Sequence, residues 1–372
     1  MAPAVFLTHP IFGTPAFGRN HPLSIPRQSA VVGLAQALGW LEAAQLRECP
    51  LPSLDTLARF HDRDYLAALE AAARSRSATA AVRERYNLGT MECPLFEGLW
   101  DRARATVGGA IMAAELALEG CLPFHPAGGT HHGRRDRASG FCYLDDPVFA
   151  ILRLLEAALP RVAYVDLDAH HGDGVEDAFA ADPRVITISI HEAGRWPGTG
   201  TLDDRGEGRA FNMPVPRGFN DSELGVLMEA AVLPVLDRFK PEAVVIVCGV
   251  DALAGDPLSG LALSNVALGD AVMALVDAYP RVVVLGGGGY NPWTLSRAWT
   301  GIWGRLSERK VPSALPPAAR AVLAGLDCDL VEDEDRDPAW FTTLRDAPRN
   351  GPVRDEIRQI ARCIAYRSAL LS

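Results

Sequence analysis

Short runs of β-branched residues stand between longer alanine- and leucine-rich stretches along most of the chain. The short runs predict buried strands, and the longer stretches predict helices. We expect strands at residues 4–8, 162–167, 185–190, 243–248 and 282–285. We expect helices at residues 28–43, 99–118, 148–158, 221–239 and 267–278. This alternation is typical of an α/β fold and predicts one domain with a central parallel sheet and helices on both faces.

The pattern changes near residue 310. Residues 310–320, KVPSALPPAAR, are rich in proline, and residues 331–337, VEDEDRD, form an acidic block that a core would not accept. Residues 351–371 predict a final amphipathic helix. We therefore expect a main domain over residues 1–310 and an extension, 311–372, that packs against it.

The composition excludes several classes of protein. A net charge of −10 argues against strong nucleic-acid binding, which requires a basic field that displaces counterions from phosphates. No apolar run reaches the length of a membrane span, and the N-terminal MAPAVFLTHP lacks the basic region of a signal peptide. Seven cysteines without a CxxC pair predict neither a disulfide framework nor a thiolate zinc site. We expect a cytoplasmic protein, and its oligomeric state stays open.

The second predicted strand ends in an unusual concentration of charge. Residues 164–174, YVDLDAHHGDG, pass from apolar side chains into three acids and two histidines. Because side chains alternate faces along an extended strand, Asp166, Asp168 and His170 are expected to point the same way. Open α/β sheets bind ligands at the carboxyl ends of their strands, so this segment predicts a site.

Two other predicted strands end in the same manner. The strand at 243–248 leads into Asp251, and the strand at 282–285 leads into four glycines and Tyr290. Glycines at such a place let the backbone approach a ligand closely. Asp251 alone could be a helix N-cap, but together the three strand ends predict convergence on one site.

Asp168, His170 and Asp251 form a plausible set of three ligands for a divalent metal. Catalytic zinc sites use three protein ligands and leave a position for water or substrate. Two carboxylates and one imidazole suit Zn²⁺, and they also suit Fe²⁺ or Co²⁺, so the residues alone leave the metal open.

Adjacent histidines, His131 and His132, follow a Gly-Gly turn in residues 126–146, PAGGTHHGRRDRASGFCYLDD. A catalytic histidine needs a carboxylate behind it to fix its tautomer, and Asp166 and Asp173 are available for this. A histidine pair by itself is more often part of a capped turn or a satisfied core. The joint occurrence with the metal set favours catalysis.

These segments resemble a known family. In order along the chain, five blocks are similar to the signature blocks of the zinc-dependent histone deacetylase family, which includes bacterial acetoin-utilisation and acetylpolyamine deacetylases. The blocks are GGTHHGRRDRASGFCYLDD, YVDLDAHHGDGVEDAF, ISIHEAGRWPGTG, CGVDALAGDPLSGL and GGGGYNPWTLSRAWT. The resemblance runs from GRNHPLSIPR to about Trp303. It implies the arginase-deacetylase fold, which agrees with the predicted parallel sheet, and it makes the main domain a deacetylase catalytic domain.

The resemblance also implies a role for each residue of the predicted site. The implied zinc ligands are Asp168, His170 and Asp251. The implied histidines of proton transfer and their carboxylate partners are His131, His132, Asp166 and Asp173. Tyr290 falls on the tyrosine that stabilises the oxyanion.

A substrate tunnel and a second ion follow from the same resemblance. The implied tunnel wall is formed by Gly140, Phe141 and Trp196. The implied K⁺ site beside the zinc strand involves Asp166, Asp168, His170 and Ser189, partly through backbone oxygens.

The chain departs from the family pattern at the tunnel rim. Glu92 stands where many members have an aspartate that grips the substrate backbone, and Trp196 replaces a common phenylalanine. Leu258 stands where polyamine-selective relatives can carry a glutamate, so its apolar side chain argues against polyamines. Arg27 matches an arginine found near the acetate-release cavity of many relatives.

The expected function is removal of acetyl or other acyl groups from a lysine-like side chain, with zinc as the Lewis acid. An acetylpolyamine or other small-amide deacetylase is an alternative, and no histone partner is assumed. A binuclear manganese hydrolase of the arginase type would need an aspartate where the chain has Gly249. A non-catalytic acyl-lysine binding protein would have no use for Tyr290 together with His131 and His132.

Overall fold

The computed structural model describes residues 2–18 and 21–371, so Arg19 and Asn20 of the block GRNHPLSIPR lie outside the described residues. The strands in the described part are β1 (Ala4–Thr8), β2 (Leu46–Glu48), β3 (Leu122–His125), β4 (Val162–Asp166), β5 (Val185–Glu192), β6 (Ala210–Val215), β7 (Ala243–Val247) and β8 (Val282–Leu285). These eight strands pair in parallel in the order β2-β1-β3-β8-β7-β4-β5-β6.

Helices occupy most of the connections between the strands. Their bounds are α1 (Arg27–Ala37), α2 (Leu54–Leu57), α3 (Arg63–Ser75), α4 (Ala80–Tyr86), α5 (Leu99–Leu118), α6 (Asp146–Glu156), α7 (Asp173–Phe179), α8 (Asp221–Leu227), α9 (Leu233–Phe239), α10 (Asn265–Ala278), α11 (Pro292–Leu306), α12 (Pro317–Ala324) and α13 (Asp355–Ser368). A π-helical turn, Met228–Val232, joins α8 to α9. None of the helices in the described ranges is long and apolar enough to cross a membrane.

Alternate side chains of the central strands enter two hydrophobic cores, one on each face of the sheet. In β4, Ala163 and Val165 belong to one core, and Val162 and Tyr164 belong to the other. Helices α1, α10 and α11 supply the first core, and α5 and α6 supply the second. The predicted α/β fold with a parallel sheet and helices on both faces is therefore confirmed.

The five predicted strands are all present, with β4 and β7 each ending one residue early and β5 extending to Glu192. Strands β2, β3 and β6 were not predicted. Strand β2 has only three residues, and β3 and β6 each contain a proline, which weakens a strand pattern. The first predicted helix was too long, because α1 ends at Ala37 and Gly39 follows with a φ of +68°.

The C-terminal segment after residue 310 packs against the rest of the chain. Leu323 of α12 and Ile357 of α13 are fully buried in the core that α1 and α11 also enter. Trp340 stacks on Trp293 of α11, with ring centroids 6.2 Å apart. The predicted final helix is present as α13, and the division into a catalytic domain and an extension stays a prediction.

Candidate active site

The candidate site lies at the carboxyl edge of the sheet, where the loops after four neighbouring strands meet. Strands β3, β8, β7 and β4 are adjacent in the sheet. The loop after β3 carries His131 and His132, the loop after β8 carries Tyr290, and β7 leads to Asp251. The convergence follows from the parallel pairing, because every strand end points to the same edge.

Three potential metal ligands are buried together at this edge. Asp168, His170 and Asp251 each offer an atom, and these atoms lie within 4.8 Å of one another. His170 Nδ1 is 2.9 Å from Asp251 Oδ2 and 3.2 Å from Asp168 Oδ1. The backbone amides of Ala169 and Gly288 donate to the carboxylates of Asp251 and Asp168 and fix their orientation. Two fixed carboxylates around one imidazole are a donor set that fits Zn²⁺.

The charges of this cluster need a cation. Burial by itself would lower the pKa of His170, but its hydrogen bonds to Asp168 and Asp251 raise that pKa to about 10. Burial and the nearby charge of Asp168 raise the pKa of Asp251. Protonated His170 therefore offsets one negative charge of the buried carboxylates in the metal-free protein, and a divalent ion would take over that role.

Glycines make room for the cluster. A Cβ atom at Gly249 would overlap the carboxylate of Asp168, and one at Gly288 would overlap the carboxylate of Asp251. An aspartate at position 249 therefore does not fit beside Asp168. This packing argues against the binuclear arrangement of the arginase type and favours one metal ion.

Each of the paired histidines has the carboxylate partner that the sequence predicts. His131 Nδ1 lies 2.7 Å from Asp166 Oδ2, and His132 Nδ1 lies 2.7 Å from Asp173 Oδ1. The two rings are 4.0 Å apart between centroids. The His132 ring is 6.2 Å from the ring of His170. Both histidines are thus oriented beside the candidate metal site.

The two histidines differ in protonation. Burial alone would lower the pKa of His131, but the charges of Asp166 and Asp168 outweigh it and raise the pKa to about 10. Burial, together with the charge of His131, lowers the pKa of His132 to about 3. The metal-free pair therefore contains one cationic and one neutral imidazole at neutral pH.

Further residues, which were not predicted from the sequence, support the carboxylates. Arg134 donates to the second oxygen of Asp173 and also pairs with Asp177. The hydroxyl of Tyr164 donates to Asp166 Oδ2 at 2.6 Å. Tyr164 was detectable, because it lies two residues before Asp166 and alternation places both on one face. Arg134 lies in a basic stretch, GRRDR, in which nothing in the sequence marks one arginine as the partner of Asp173.

Tyr290 is buried at the edge of the site. Its side chain is only 7% exposed, and its ring centroid is 6.2 Å from that of Phe141. Its backbone amide donates to Asp256 Oδ2 at 2.7 Å, which holds the segment after β8 in place. Burial and the charges of Asp251 and Asp168 raise the pKa of Tyr290 well above its usual range. The hydroxyl therefore stays protonated and can donate a hydrogen bond.

Gly140, Phe141 and Trp196 lie together beside the histidines. The Trp196 ring is 4.7 Å from that of His132 and 6.4 Å from that of His170. Gly140 and Phe141 have positive φ angles of +53° and +66°, so the backbone turns sharply at this point. Trp196 remains 45% exposed, which places it between the histidines and the surface. The structure thus brings the three residues together, and their role as a tunnel wall stays a prediction.

The structure places the other predicted residues as follows. Both carboxylate oxygens of Glu92 accept hydrogen bonds, from the Gly140 amide at 2.6 Å and from Asn87 Nδ2 at 3.1 Å. Leu258 is partly buried, and its carbonyl accepts from Arg195 Nη1 at 2.7 Å. Ser189 is paired with Asp166 in the sheet register, beside the candidate metal ligands.

A cavity of about 170 Å³ lies next to the site, with Arg27 in its wall. Arg27 donates to the carbonyl of Gly287, and its guanidinium lies 5.0 Å from the ring centroid of Trp299. Phe12, Phe96 and Phe141 line the same cavity. Phe141 therefore lies against both this internal chamber and the ring of Tyr290.

The fold and the site together are compatible with a metal-dependent hydrolase. The sequence profile described as the histone deacetylase domain matches residues 21–306. Histone deacetylase 8 of Xenopus tropicalis is 35% identical over 306 residues, which cover 80% of this chain and 82% of that protein. Histone deacetylase 6 of Arabidopsis thaliana is 34% identical over 304 residues, which cover 79% of this chain and 64% of that protein.

Solved structures give the same result. A histone deacetylase homologue from Aquifex aeolicus is 34% identical with a TM-score of 0.92, covering 97% of this chain and 100% of that one. A homologue complexed with SAHA is also 34% identical with a TM-score of 0.92, covering 98% of this chain and 100% of that one. The chain belongs to the histone deacetylase family and is a hydrolase with the arginase-deacetylase fold. Members are generally zinc-dependent, and Asp168, His170 and Asp251 form the candidate metal site.

Gly140→Ala is expected to reduce deacetylase kcat/KM by about 10- to 100-fold, because small displacements around a reacting group have effects of this size. A Cβ atom here would overlap the Trp196 ring and lie 2.6 Å from His132 Cδ2, at a φ of +53°. Gly39→Ala is the matched control, since Gly39 has a φ of +68° and open space around its Cβ position. Steady-state kinetics of both variants check this. Equal kcat/KM values for Gly140→Ala and Gly39→Ala would show that a Cβ atom at position 140 does not disturb the site.

Arg134→Gln is expected to lower kcat by about 10-fold, because outer partners of catalytic groups have effects of this order. The change removes the cation that holds Asp173 behind His132. Arg135→Gln, next in the chain and paired with the exposed Asp62, should leave kcat unchanged. Measurement of kcat and metal content for both variants checks this, and a loss in Arg135→Gln as large as in Arg134→Gln would contradict it.

Proposed function

We propose that this protein is a mononuclear zinc deacetylase that removes acetyl or other acyl groups from the amine of a lysine-like side chain. The observation that carries the proposal is the convergence of Asp168, His170 and Asp251 next to two histidines that are each backed by a carboxylate. Fe²⁺ or Co²⁺ would fit the same donor atoms.

When bound, the metal would supply Lewis-acid polarisation of the amide carbonyl and make the attacking water more acidic. His132 or His131 would accept the proton of the water and return one to the leaving amine, a role worth about 10²- to 10⁴-fold. Because Nδ1 of each ring is hydrogen-bonded to Asp166 or Asp173, Nε2 is the nitrogen available for this transfer.

Tyr290 would stabilise the negative charge that develops on the carbonyl oxygen, because its hydroxyl is protonated and close to the site. Phe141 and Trp196 would enclose the aliphatic chain that carries the acyl group. The chamber beside Arg27 would receive the released acetate, since a buried guanidinium attracts an anion.

A potassium ion beside β4 is part of the proposal. Asp166 and Ser189 are paired across β4 and β5, and the loop with Asp168 and His170 follows directly. Oxygen atoms from these residues would suit a hard cation of this kind.

The cysteines, all within the described part of the chain, are free. This supports the proposed location in a reducing cytoplasm.

The second candidate function differs from the first only in the substrate, which would be an acetylated polyamine. An acetyl-lysine peptide and an acetylated polyamine end in the same scissile amide, and both would fit a slender apolar tunnel. Leu258 supplies no carboxylate for a cationic chain, which favours acyl-lysine. A non-catalytic acyl-lysine binding protein is disfavoured, because a binding site does not need the paired histidines together with Tyr290.

The test compares deacetylation of an acetyl-lysine peptide and an acetylated polyamine by one zinc-loaded preparation, with and without SAHA. We expect faster release of acetate from the peptide, and we expect SAHA to compete with both substrates. A strong preference for the polyamine would favour the second candidate. Negligible rates on both, with no binding of SAHA, would contradict the proposed function.

A further inference from the structure

We propose that Glu92 is a positioning residue that holds the tunnel wall at Gly140 and Phe141, and that the site recognises the acylated chain end without a carboxylate grip on a peptide backbone. The inference rests on the proposed function. It concerns how that site selects substrate, and it departs from the role that the family resemblance implies for this position.

The Glu92 carboxylate is bonded to the protein through both oxygens. Oε1 accepts from the backbone amide of Gly140 at 2.6 Å, and Oε2 accepts from Asn87 Nδ2 at 3.1 Å. The residue is partly buried, whereas its neighbour Met91 is 95% exposed. The loop therefore turns the carboxylate toward the wall segment and leaves the methionine at the rim.

The wall segment needs such an anchor because its backbone is strained. Phe141 follows Gly140 with a φ of +66°, a left-handed conformation that is unfavourable for a residue with a side chain. The amides and carbonyls of Ser139 and Cys142 bond to each other at 3.0 and 2.8 Å and close the ends of the turn. The Gly140 amide lies inside that turn, and Glu92 is its acceptor.

Asn87 extends the same connection. Its side-chain amide also donates to the carbonyl of Ala138 at 3.2 Å, and its oxygen accepts from the hydroxyl of Thr90 at 3.0 Å. Asn87 ends helix α4 in a left-handed conformation with a φ of +58°. Glu92 and Asn87 thus fasten the loop after α4 to both sides of the wall turn.

The consequence for substrate recognition follows from the position of Phe141. This ring lies 6.2 Å from the ring of Tyr290, so a displaced wall would disturb every substrate that enters the tunnel. Loss of a grip on a peptide backbone would instead affect only substrates that have such a backbone. The two roles therefore give different patterns of kinetics.

The experiment measures kcat and KM of Glu92→Ala, Glu92→Gln and the wild type, all loaded with zinc. The substrates are an acetyl-lysine peptide and an N-acetyl alkylamine whose only amide is the scissile one. We expect Glu92→Ala to lose about 10-fold or more in kcat/KM on both substrates by the same factor, as for a displaced reacting group. Glu92→Gln should recover most of the activity, because its side-chain oxygen still accepts from the Gly140 amide.

Two further measurements separate positioning from a general defect. Hydrogen exchange of the peptide spanning residues 138–143 should accelerate in Glu92→Ala and stay near the wild-type rate in Glu92→Gln. Glu97→Gln, an exposed change in the same loop, should alter neither kinetics nor exchange.

A loss confined to the peptide substrate, with unchanged exchange at 138–143, would overturn the inference and favour a backbone grip. If Glu92→Ala does not fold, unequal losses of Glu92→Gln on the two substrates would have the same meaning. A wild-type protein inactive on both substrates would overturn the proposed function instead, so the two failures are distinguishable.

Discussion

Tyr290→Phe is expected to reduce kcat by about 10²- to 10³-fold while the metal content stays unchanged, because loss of one oxyanion donor has an effect of this size. The ring is buried against Phe141 and would keep its packing without the hydroxyl. The candidate metal ligands are not altered, because Tyr290 is not one of them. Single-turnover kinetics and metal analysis of the same preparation provide the measurement.

The control for this change is Tyr366→Phe, which removes a hydroxyl from a residue of α13 that is 72% exposed. Its kcat should equal that of the wild type. If Tyr290→Phe retained full turnover, Tyr290 would have no part in the mechanism and the oxyanion would have to be stabilised by other groups.

Asp251→Asn is expected to abolish metal-dependent activity and metal-dependent stabilisation without weakening the metal-free fold. Outer partners of metal ligands cost about 10- to 100-fold, so loss of a ligand should cost more than about 100-fold in turnover. Burial and the charge of Asp168 already raise the pKa of Asp251, so the ionised carboxylate is unfavourable when no metal is present. Asparagine removes that charge and can keep the bond from the Ala169 amide.

Thermal unfolding with and without Zn²⁺ measures this effect. At a free metal concentration 100-fold above Kd, the wild type should gain about 2.7 kcal/mol and Asp251→Asn should gain nothing. Asp277→Asn, an exposed change at the end of α10, should behave as the wild type. Equal stabilisation of Asp251→Asn and the wild type would show that the metal binds elsewhere.

The strands that carry the site were predictable because they are buried on both faces. Strands β4, β7 and β8 are continuous apolar runs, and the acids and glycines that follow them interrupt this pattern abruptly. Strands β3 and β6 escaped prediction because their prolines and polar residues are compatible with a loop. Their places are set by the neighbouring strands, which sequence periodicity does not reveal.

The candidate metal ligands and the carboxylate partners of the histidines were likewise predictable. The residues that hold these groups in place were not. Alternation along β4 indicates that Asp166 and Asp168 share a face, and the structure brings both to His131. The contacts of Arg134 with Asp173 and of Asp256 with Tyr290 join segments that are far apart in the chain. Such contacts form only when the sheet is assembled, so no local sequence pattern predicts them.

Glu92 shows the limit of prediction by resemblance. The position of a residue in a family pattern predicts a role, but the direction of its side chain depends on which donors the fold presents. Here the donors are the Gly140 amide and the Asn87 side chain.

We expect one metal ion, held by Asp168, His170 and Asp251, to support amide hydrolysis in this protein. The decisive experiment is a titration of the metal-free protein with Zn²⁺ while the rate of acetate release from an acetyl-lysine peptide is recorded. We expect a rate that rises in proportion to added zinc and reaches its plateau at one equivalent per chain. A plateau at two equivalents, or a rate that is independent of zinc, would contradict it.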